Sequence, residues 1–488
     1  MQGSSMERGE SATKPLLVKE KVDKINGGLC SSVYEGELLC ESSSSSSSAT
    51  FVLILSTFVA ATGSYAFGNA AGYSSPTESA IIKDLGLTLV EYSLVCSIVT
   101  IGGMFGAILS GKIGDVIGRR GAMGVAELFC IAGWLAIVFA TGDLSLEVGR
   151  FLIGCGAGLS AFVIPTYVAE IAPKNIRGTI MVVTLVMLSC GKAVFFLVGS
   201  LVSWRTLALI GVVPCLLQLI GLLFIPESPR WLMKIGRVKE SEAALQRLRG
   251  DKADISQEID DIKEYTEHCR KSSGDGIRSL FQKKYARCLI IGVGVLASQS
   301  CGGLIGISSY TSAILQSAGF PSKIGIIVVG LVQVLMTIIG AFLIDKFGRR
   351  PLLLISAAGT CLGCVLVGLS FFLQGLQYAE ELSPVLAFTG VVAFYTSFGL
   401  GLEGIPWLVA SEVFPINIKG SAGSLANLVS WTSSFIVAYS FNFIFEWSSA
   451  GTFFIFAGIN AASVLFFSKM MPETNGRTLE ELQASITQ

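Results

Sequence analysis

The sequence predicts an all-α membrane protein of twelve spanning helices, built as two related six-helix halves with a polar linker between them. Three observations carry this. Of 488 residues, 52% are hydrophobic and 14% charged, with a mean hydropathy of +0.67, whereas roughly a quarter of a soluble domain is charged. A soluble core cannot absorb so much apolar surface. Apolar runs long enough to cross a bilayer recur along the chain. A charged block then appears twice, as GDVIGRR at 114–120 and IDKFGRR at 344–350, so that Asp115, Gly118, Arg119 and Arg120 return as Asp345, Gly348, Arg349 and Arg350. Each copy lies between two apolar runs and reads as a tight polar turn between spanning helices. Its repetition marks two related halves.

In chain order, residues 1–49 are polar and end in a serine run from Ser42 to Ser48, a composition that buries no core and is expected to be a disordered tail. The Pro15-Leu16-Leu17 stretch after Glu10 is a candidate sorting signal, which names sorting machinery as a partner of the tail. The first apolar run begins near Thr50 at spanning length, so no cleavable signal peptide is expected. The runs fall near 50–72, 92–111, 121–140, 147–167, 178–202 and 206–225, then near 288–310, 323–344, 351–373, 385–409, 420–443 and 451–470. This divides the chain into a half at 50–225, a linker at 226–287, a half at 288–470 and a tail at 471–488. In the linker, VKESEAALQRLRG and ISQEIDDIKEYTEHC have helical periodicity and mixed charge, as short amphipathic helices do. Short loops on one side carry Lys112, Arg119, Arg120, Lys174, Arg177, Lys346, Arg349, Arg350 and Lys419, and those on the other only Lys83, Arg205 and Lys323. The excess of positive charge places the first set, the linker and both termini in the cytosol.

Several function classes drop out. The 35 basic and 35 acidic residues cancel, which argues against a nucleic-acid binder. Cys96, Cys130, Cys155, Cys190, Cys215, Cys301, Cys361 and Cys364 lie within apolar runs and read as packing residues rather than a disulfide framework. His268 is the single histidine and no paired cysteines occupy a polar loop, so no metal site is expected. Without a nucleophile, base and orienting set, or a phosphate loop, the chain does not read as an enzyme and calls for no cofactor.

Further pairs tie the halves together. Glu170, Pro173, Arg177 and Gly178 are echoed by Glu412, Pro415, Lys419 and Gly420, and Pro226-Glu227-Ser228 by Pro472-Glu473-Thr474. Two six-helix halves facing each other across a midplane site suit alternating access.

These residues resemble the sugar porter branch of the major facilitator superfamily. The resemblance rests on the doubled Asp-x-x-Gly-Arg-Arg turn, on Gly149-Arg150 within GRFLIGCGAG, and on PESPRW at 226–231. GIPW at 404–407 followed by SEVFP, and PETNGRTLEE at 472–481, complete it. EVFPINIKG at 412–420 and SYAFGNAAGYSSP at 64–76 are most similar to the plant early-responsive-to-dehydration-like monosaccharide transporter group. The resemblance implies the major facilitator fold, a small sugar as partner, and the vacuolar membrane ahead of the plasma membrane.

It also gives the charged residues a task. Helix ends near Gly111 and Gly340 leave carbonyls that arginines just beyond can meet, with Glu170 and Glu412 as carboxylate partners. The implied network of Asp115, Arg119, Arg120, Glu170, Arg177, Asp345, Arg349, Arg350 and Glu412 holds one conformation closed on the cytosolic side and breaks as the halves rock. The alternative is that these charges only set topology.

Arg150 opens an apolar span with Gly154 and Gly158 following, a spacing that permits close helix approach, and a buried arginine needs a partner. In proton-coupled sugar porters that partner is implied to be an aspartate after Phe-Gly-Tyr in span one. Here the stretch is Phe67-Gly68-Asn69-Ala70, with alanine at the carboxylate position. Facilitated diffusion therefore leads, and proton-coupled transport is the alternative.

A hexose needs amide-type partners for its hydroxyls and an aromatic platform for its C–H faces. The resemblance places Trp407, Trp431, Gln299 and Gln333 in those roles. Departures are equally plain: Ser300 replaces a second glutamine, Ile305 an asparagine, Leu185 a glutamine and Ser430 an asparagine. At roughly 1 kcal/mol each, three or four lost hydrogen bonds amount to orders of magnitude in affinity. The substrate is then a different, polyol-like solute, or the site binds weakly. A sugar sensor that binds without transporting is the reading from another class. Two intramembrane charges stand out, Glu403 where the resemblance implies glycine and Lys192 in span five. Glu403 is expected to face the central cavity and contact substrate or Lys192, and it is the group a proton-coupled mechanism would use. Glu127, near a helix end, is expected to reach the interface.

Overall fold

Twelve helices among the described residues are long and apolar enough to cross a membrane. Spans one to six are Phe51–Gly72, Leu89–Val116, Gly118–Val138, Asp143–Ile171, Arg177–Gly199 and Trp204–Leu222. Spans seven to twelve are Tyr285–Ser317, Ser322–Ile344, Arg349–Gly375, Ser383–Val413, Ser421–Trp447 and Ser449–Met470. The computed structural model describes residues 50–474 except 174, 273–281, 378–380 and 415–417, so the Pro15-Leu16-Leu17 stretch and residues 475–488 lie outside the described residues. No strand occurs among the described residues, and the fold is all-α. After span six come the short helices Pro229–Lys234, Val238–Arg249 and Ser256–Ser272, whose Met233, Leu245, Ile259 and Ile262 close a small apolar cluster.

The helices outrun the apolar runs at their charged ends. Span two, expected near 92–111, extends from Leu89 to Val116 and carries Lys112 and Asp115 on its last turns. It begins at a capping box in which Thr88 Oγ1 accepts the Glu91 N–H at 3.3 Å and Glu91 Oε2 accepts the Thr88 N–H at 2.7 Å. The expected polar turn shrinks to Ile117 and Gly118, and Gly118 and Gly348 take φ of 84° and 85°, a region open to glycine. Helix pairing of the backbone outweighs the polarity of a few side chains that already face water.

Three spans are interrupted. Span one bends at Tyr73 and continues as a helix over Ser74–Leu85, which the polar run Ser74 to Glu78 concealed. Span seven breaks between Cys301 and Leu304, with Gly303 at φ 96°, and kinks again at Tyr310. Span ten passes through a wider π-helical turn at Phe398–Leu402 before Gly404. A lipid interior offers no water to freed backbone groups, so neighbouring side chains must meet them. Arg150 Nη1 donates to Ala70 O at 3.3 Å, and Tyr92 Oη to Ser74 O at 2.8 Å. Asn460 Nδ2 donates to Gly302 O at 3.0 Å, and Gln299 Nε2 to Leu402 O at 2.7 Å. Ser356 Oγ donates to Ser397 O at 2.6 Å and accepts the Leu402 N–H at 3.0 Å.

In the first half, span four packs on spans two and three, span one on span five, and span three on span six. In the second, span nine packs on spans ten and twelve and span seven on span eleven. Spans two and four touch backbone to backbone: a Cβ on Gly154 would meet the Val99 carbonyl, and one on Gly158 the Gly103 carbonyl. The halves meet along spans two and eleven and along spans five and eight. At the end opposite the charged turns they are joined by Ser312 N–H to Ser75 Oγ at 3.0 Å and Asn442 Nδ2 to Ser93 Oγ at 2.9 Å.

Gly154→Ala is expected to destabilise the protein by about 1–3 kcal/mol through overpacking. Gly458→Ala, in span twelve with nothing within 4 Å of the added carbon, should be neutral or stabilising by up to about 1 kcal/mol. Thermal unfolding of both variants in detergent checks the contrast.

Candidate functional site

At the charged end the two halves repeat one design. Arg119 grips Glu170 with two bonds, Nε to Oε2 at 3.0 Å and Nη2 to Oε1 at 2.9 Å, the strong bidentate form of this pair. Its Nη1 donates to Gly114 O at 2.8 Å and to Asp115 Oδ1 at 3.2 Å, and Asp115 also pairs with Lys234 at 2.9 Å. The carbonyl met by arginine is thus Gly114's rather than one near Gly111, because span two runs on through its last charged turn. The Glu227 carboxylate caps span three, accepting the N–H groups of Arg119 at 3.0 Å and Arg120 at 3.1 Å, as well as that of Ser228 at 2.8 Å. Burial pushes the Glu227 carboxyl up, and the donors of Ser228, Arg120 and Arg119 pull it back.

In the second half, Glu473 accepts the Arg349 N–H at 3.0 Å and the Arg350 N–H at 3.1 Å. Arg349 Nη2 reaches Glu412 Oε1 at 3.3 Å, and Arg350 donates to the Ser468 carbonyl. One detail differs. Ser228 Oγ donates to Glu170 Oε2 at 2.5 Å, whereas the matching Thr474 Oγ1 and Glu412 Oε2 are both buried without a partner. Arg177 stands apart from Arg119 and Glu170, within electrostatic reach of Arg230, Arg249 and Glu258. The Asp345 side chain lies outside the described residues.

Midway along the bundle a buried polar cluster joins the halves. Glu403 follows the π-helical turn of span ten and accepts three hydrogen bonds. Ser189 Oγ of span five donates at 2.8 Å, and Gln333 Nε2 and Thr337 Oγ1 of span eight donate at 3.1 and 2.5 Å. Ser189 and Thr337 also touch each other at 3.2 Å. The Lys192 ammonium makes no ion pair among the described residues, but lies 4.8 Å from the Tyr395 ring centre and 5.7 Å from that of Phe196. Those distances are within cation–π range. Gln299 is committed to the Leu402 and Glu403 carbonyls at 2.7 and 3.3 Å. Ser300 and Ser430, two departures from the family pattern, hydrogen-bond to each other at 2.8 Å. Gln333 Oε1 is buried with no partner.

Trp407 and Trp431 lie in spans ten and eleven. Trp407, one helical turn from Glu403, is 43% exposed. Trp431 lies against Gly103 and 6.4 Å from the Phe67 ring. Leu185 packs against Gly404. Arg150 is buried, held by Ala70 O, by Ser74 Oγ at 2.5 Å and by the face of Tyr73 at 5.5 Å. Glu127 does not reach the interface: span three begins at Gly118, which carries Glu127 inward to a site 1% exposed beside Cys130 and Cys215.

Sequence reasoning passed over Ser189 and Thr337. A hydroxyl in an apolar run is a weak signal, yet the spacing was informative. Ser189 lies three residues before Lys192 and Thr337 four after Gln333, so each shares a helix face with a residue already singled out.

The family model for sugar (and other) transporters matches residues 44–485. The chain belongs to this family. It is 48% identical over 436 residues to the Arabidopsis thaliana sugar transporter ERD6-like 7, covering 89% of this chain and 94% of that one. It is 49% identical over 447 residues to sugar transporter ERD6-like 16 of the same plant, covering 91% and 93%. Among solved structures, the inward open conformation of the xylose transporter XylE from E. coli matches with a TM-score of 0.75 at 25% identity, covering 89% of this chain and 99% of that one. The XylE proton:xylose symporter bound to 6-bromo-6-deoxy-D-glucose matches with a TM-score of 0.75 at 24% identity, covering 89% and 98%, a likeness of fold. The all-α bundle is therefore the major facilitator fold, and its relatives are transporters rather than enzymes.

Ser189→Ala and Thr337→Val should each destabilise the folded protein by about 1–3 kcal/mol, since each leaves the buried Glu403 carboxylate one donor short. The double variant should fall short of the sum. Thermal unfolding of the variants in nanodiscs checks both statements.

Proposed function

We propose that this protein is an alternating-access transporter that moves a monosaccharide by facilitated diffusion across the vacuolar membrane, with the charged turns and both termini in the cytosol. The observation that carries the passive mode is the setting of Arg150, whose guanidinium is held by a carbonyl, a hydroxyl and a ring, with alanine at position 70. A buried cation that needs no acidic partner has no proton to exchange with one. The sugar is supported by the relatives' names and by the chemistry of the residues at the seam. Gln333 Oε1 is a free acceptor for a hydroxyl, and Trp407 and Trp431 supply aromatic faces. Ser300, Ser430 and Gln299 already bond within the protein, which favours weak binding or a solute with fewer hydroxyl demands. With the far end joined at Ser75 and Ser93, this structure reads as a state in which the far gate is closed. The N-terminal tail, through Pro15-Leu16-Leu17, is the proposed contact for sorting machinery.

A second reading, proton coupling through Glu403, draws on the placement of its carboxylate between Ser189 of one half and Thr337 of the other. The test is counterflow and uptake of labelled hexoses, pentoses and polyols by the purified chain in liposomes, with and without a proton gradient. Facilitated diffusion requires exchange that a protonophore leaves unchanged. Accumulation that a protonophore abolishes, and that Glu403→Gln also abolishes, would establish the second reading in its place.

The charged turns are proposed to work as a cytosolic latch. Arg119→Ala should lower the maximal exchange rate about tenfold, equivalent to ~1.4 kcal/mol, and leave the half-saturating sugar concentration within about twofold. Loss of affinity at normal turnover would remove the latch from the mechanism. Gln333→Leu should have the reverse signature, raising the half-saturating concentration about fivefold for one lost hydrogen bond.

A further inference from the structure

At the end opposite the charged turns, two buried polar atoms sit on either side of the seam between the halves and make no close hydrogen bond. Glu78 lies on the Ser74–Leu85 helix, one turn beyond Ser74. It is 6% exposed, and its Oε2 has no hydrogen-bond partner. No ion pair involves it among the described residues. Across the seam, Tyr310 of span seven is 1% exposed, and its hydroxyl makes no close hydrogen bond, with Ser93 and Cys96 of span two its nearest polar neighbours. Tyr310 marks the kink in that span, stacks on Phe441 at 5.1 Å and meets Tyr92 edge-on at 6.5 Å. The Ser312 to Ser75 bond fastens the same segment to the helix that carries Glu78.

The groups around Glu78 are few. Tyr92 and Cys96 of span two and Tyr310 of span seven lie within its electrostatic reach. Arg150 of span four acts on Tyr92 and Cys96 too, but its bonds go to Ala70 and Ser74. Tyr73 gives its hydroxyl proton to the Trp204 carbonyl, and Lys83 and Asp84, farther along the Glu78 helix, are exposed. No cation and no donor therefore meet Oε2. An ionised carboxylate sealed in that position is strongly disfavoured, whereas the protonated group sheds the charge and gains an O–H to donate.

We propose that Glu78 is a proton-binding site of the far gate, protonated while span seven is closed on spans one and two and ionised when the gate opens and water reaches it. The proton enters and leaves from the same side of the membrane. It therefore sets how long the gate stays shut without being carried across, in keeping with facilitated diffusion. Acid on the far side favours the state open at the charged turns, and alkali favours release of the gate. The inference rests on the alternating-access reading for the meaning of the gate, though not on the identity of the sugar.

The test uses the full chain in nanodiscs without sugar and reads modification of the native Cys96 by N-ethylmaleimide, site by site by mass spectrometry and normalised at each pH to denatured chain. Between about pH 6 and about pH 8.5, the range in which buried carboxyls titrate, modification of the wild type should rise about tenfold as Glu78 ionises. Glu78→Gln, a near-isostere of the protonated acid, should stay low throughout. A Glu78→Gln profile that follows the wild type would overturn the proposal. So would uphill uptake in liposomes that a protonophore and Glu78→Gln both abolish, because the proton would then be cargo. Absence of sugar counterflow in the wild type with the Cys96 profile intact would instead count against the transport reading alone.

Discussion

A backbone crossing a membrane has no water to bond to, and this constraint organises the structure. Nine spans meet it by being uninterrupted helices, and spans one, seven and ten do not. At each exception a neighbouring side chain is assigned to the freed group: Arg150 and Tyr92 for span one, Asn460 for span seven, Gln299 and Ser356 for span ten. Irregular backbone within a bilayer is tolerated where it lines a cavity or is covered by protein. The interruption of span ten and the residues that serve it lie where Glu403, Gln333 and Trp407 are found, whereas that of span one lies toward the end opposite the charged turns. What looks in the sequence like scattered polarity in apolar runs is mostly the chemistry of keeping broken helices intact.

That accounting changes the meaning of the polar residues. Gln299 holds carbonyls of span ten, Ser300 and Ser430 hold each other, and Glu403 has its oxygens taken by Ser189, Gln333 and Thr337. Groups that appear available to a ligand are partly spent on the protein. Two bonds of this cluster, from Ser189 to Glu403 and between Ser189 and Thr337, cross between the halves, so a change in the relative tilt of spans five and eight must break or remake them. On the proposed transport reading, binding at this cluster and rocking draw on the same hydrogen bonds.

Much of this was legible in the sequence because it follows from patterns that a bilayer enforces. Twelve runs of spanning length, the doubled turn and the paired Glu227 and Glu473 motifs all survive in the fold. The capping role of those two glutamates was not legible, since a carboxylate in a loop gives no sign of which helix end it meets. The interruptions were missed for a related reason. Hydropathy is blind to backbone conformation, and span ten reads as one apolar run although it contains a π-helical turn. The Ser74–Leu85 helix was missed because its serines, proline and charged residues look like a loop until tertiary packing buries them. Glu127 was misplaced by three residues of helix at the start of span three, enough to turn a surface group into a buried one.

The asymmetry between the two charged turns has a consequence for the order of events. In the first half Ser228 completes the shell of Glu170, whereas in the second Thr474 Oγ1 and Glu412 Oε2 sit buried and unsatisfied. An unsatisfied pair raises the energy of the arrangement that contains it and adds nothing to the barrier against leaving it. On the proposed latch reading, the turn that carries this pair has the less to lose on opening, which gives a nearly symmetric fold a leading edge.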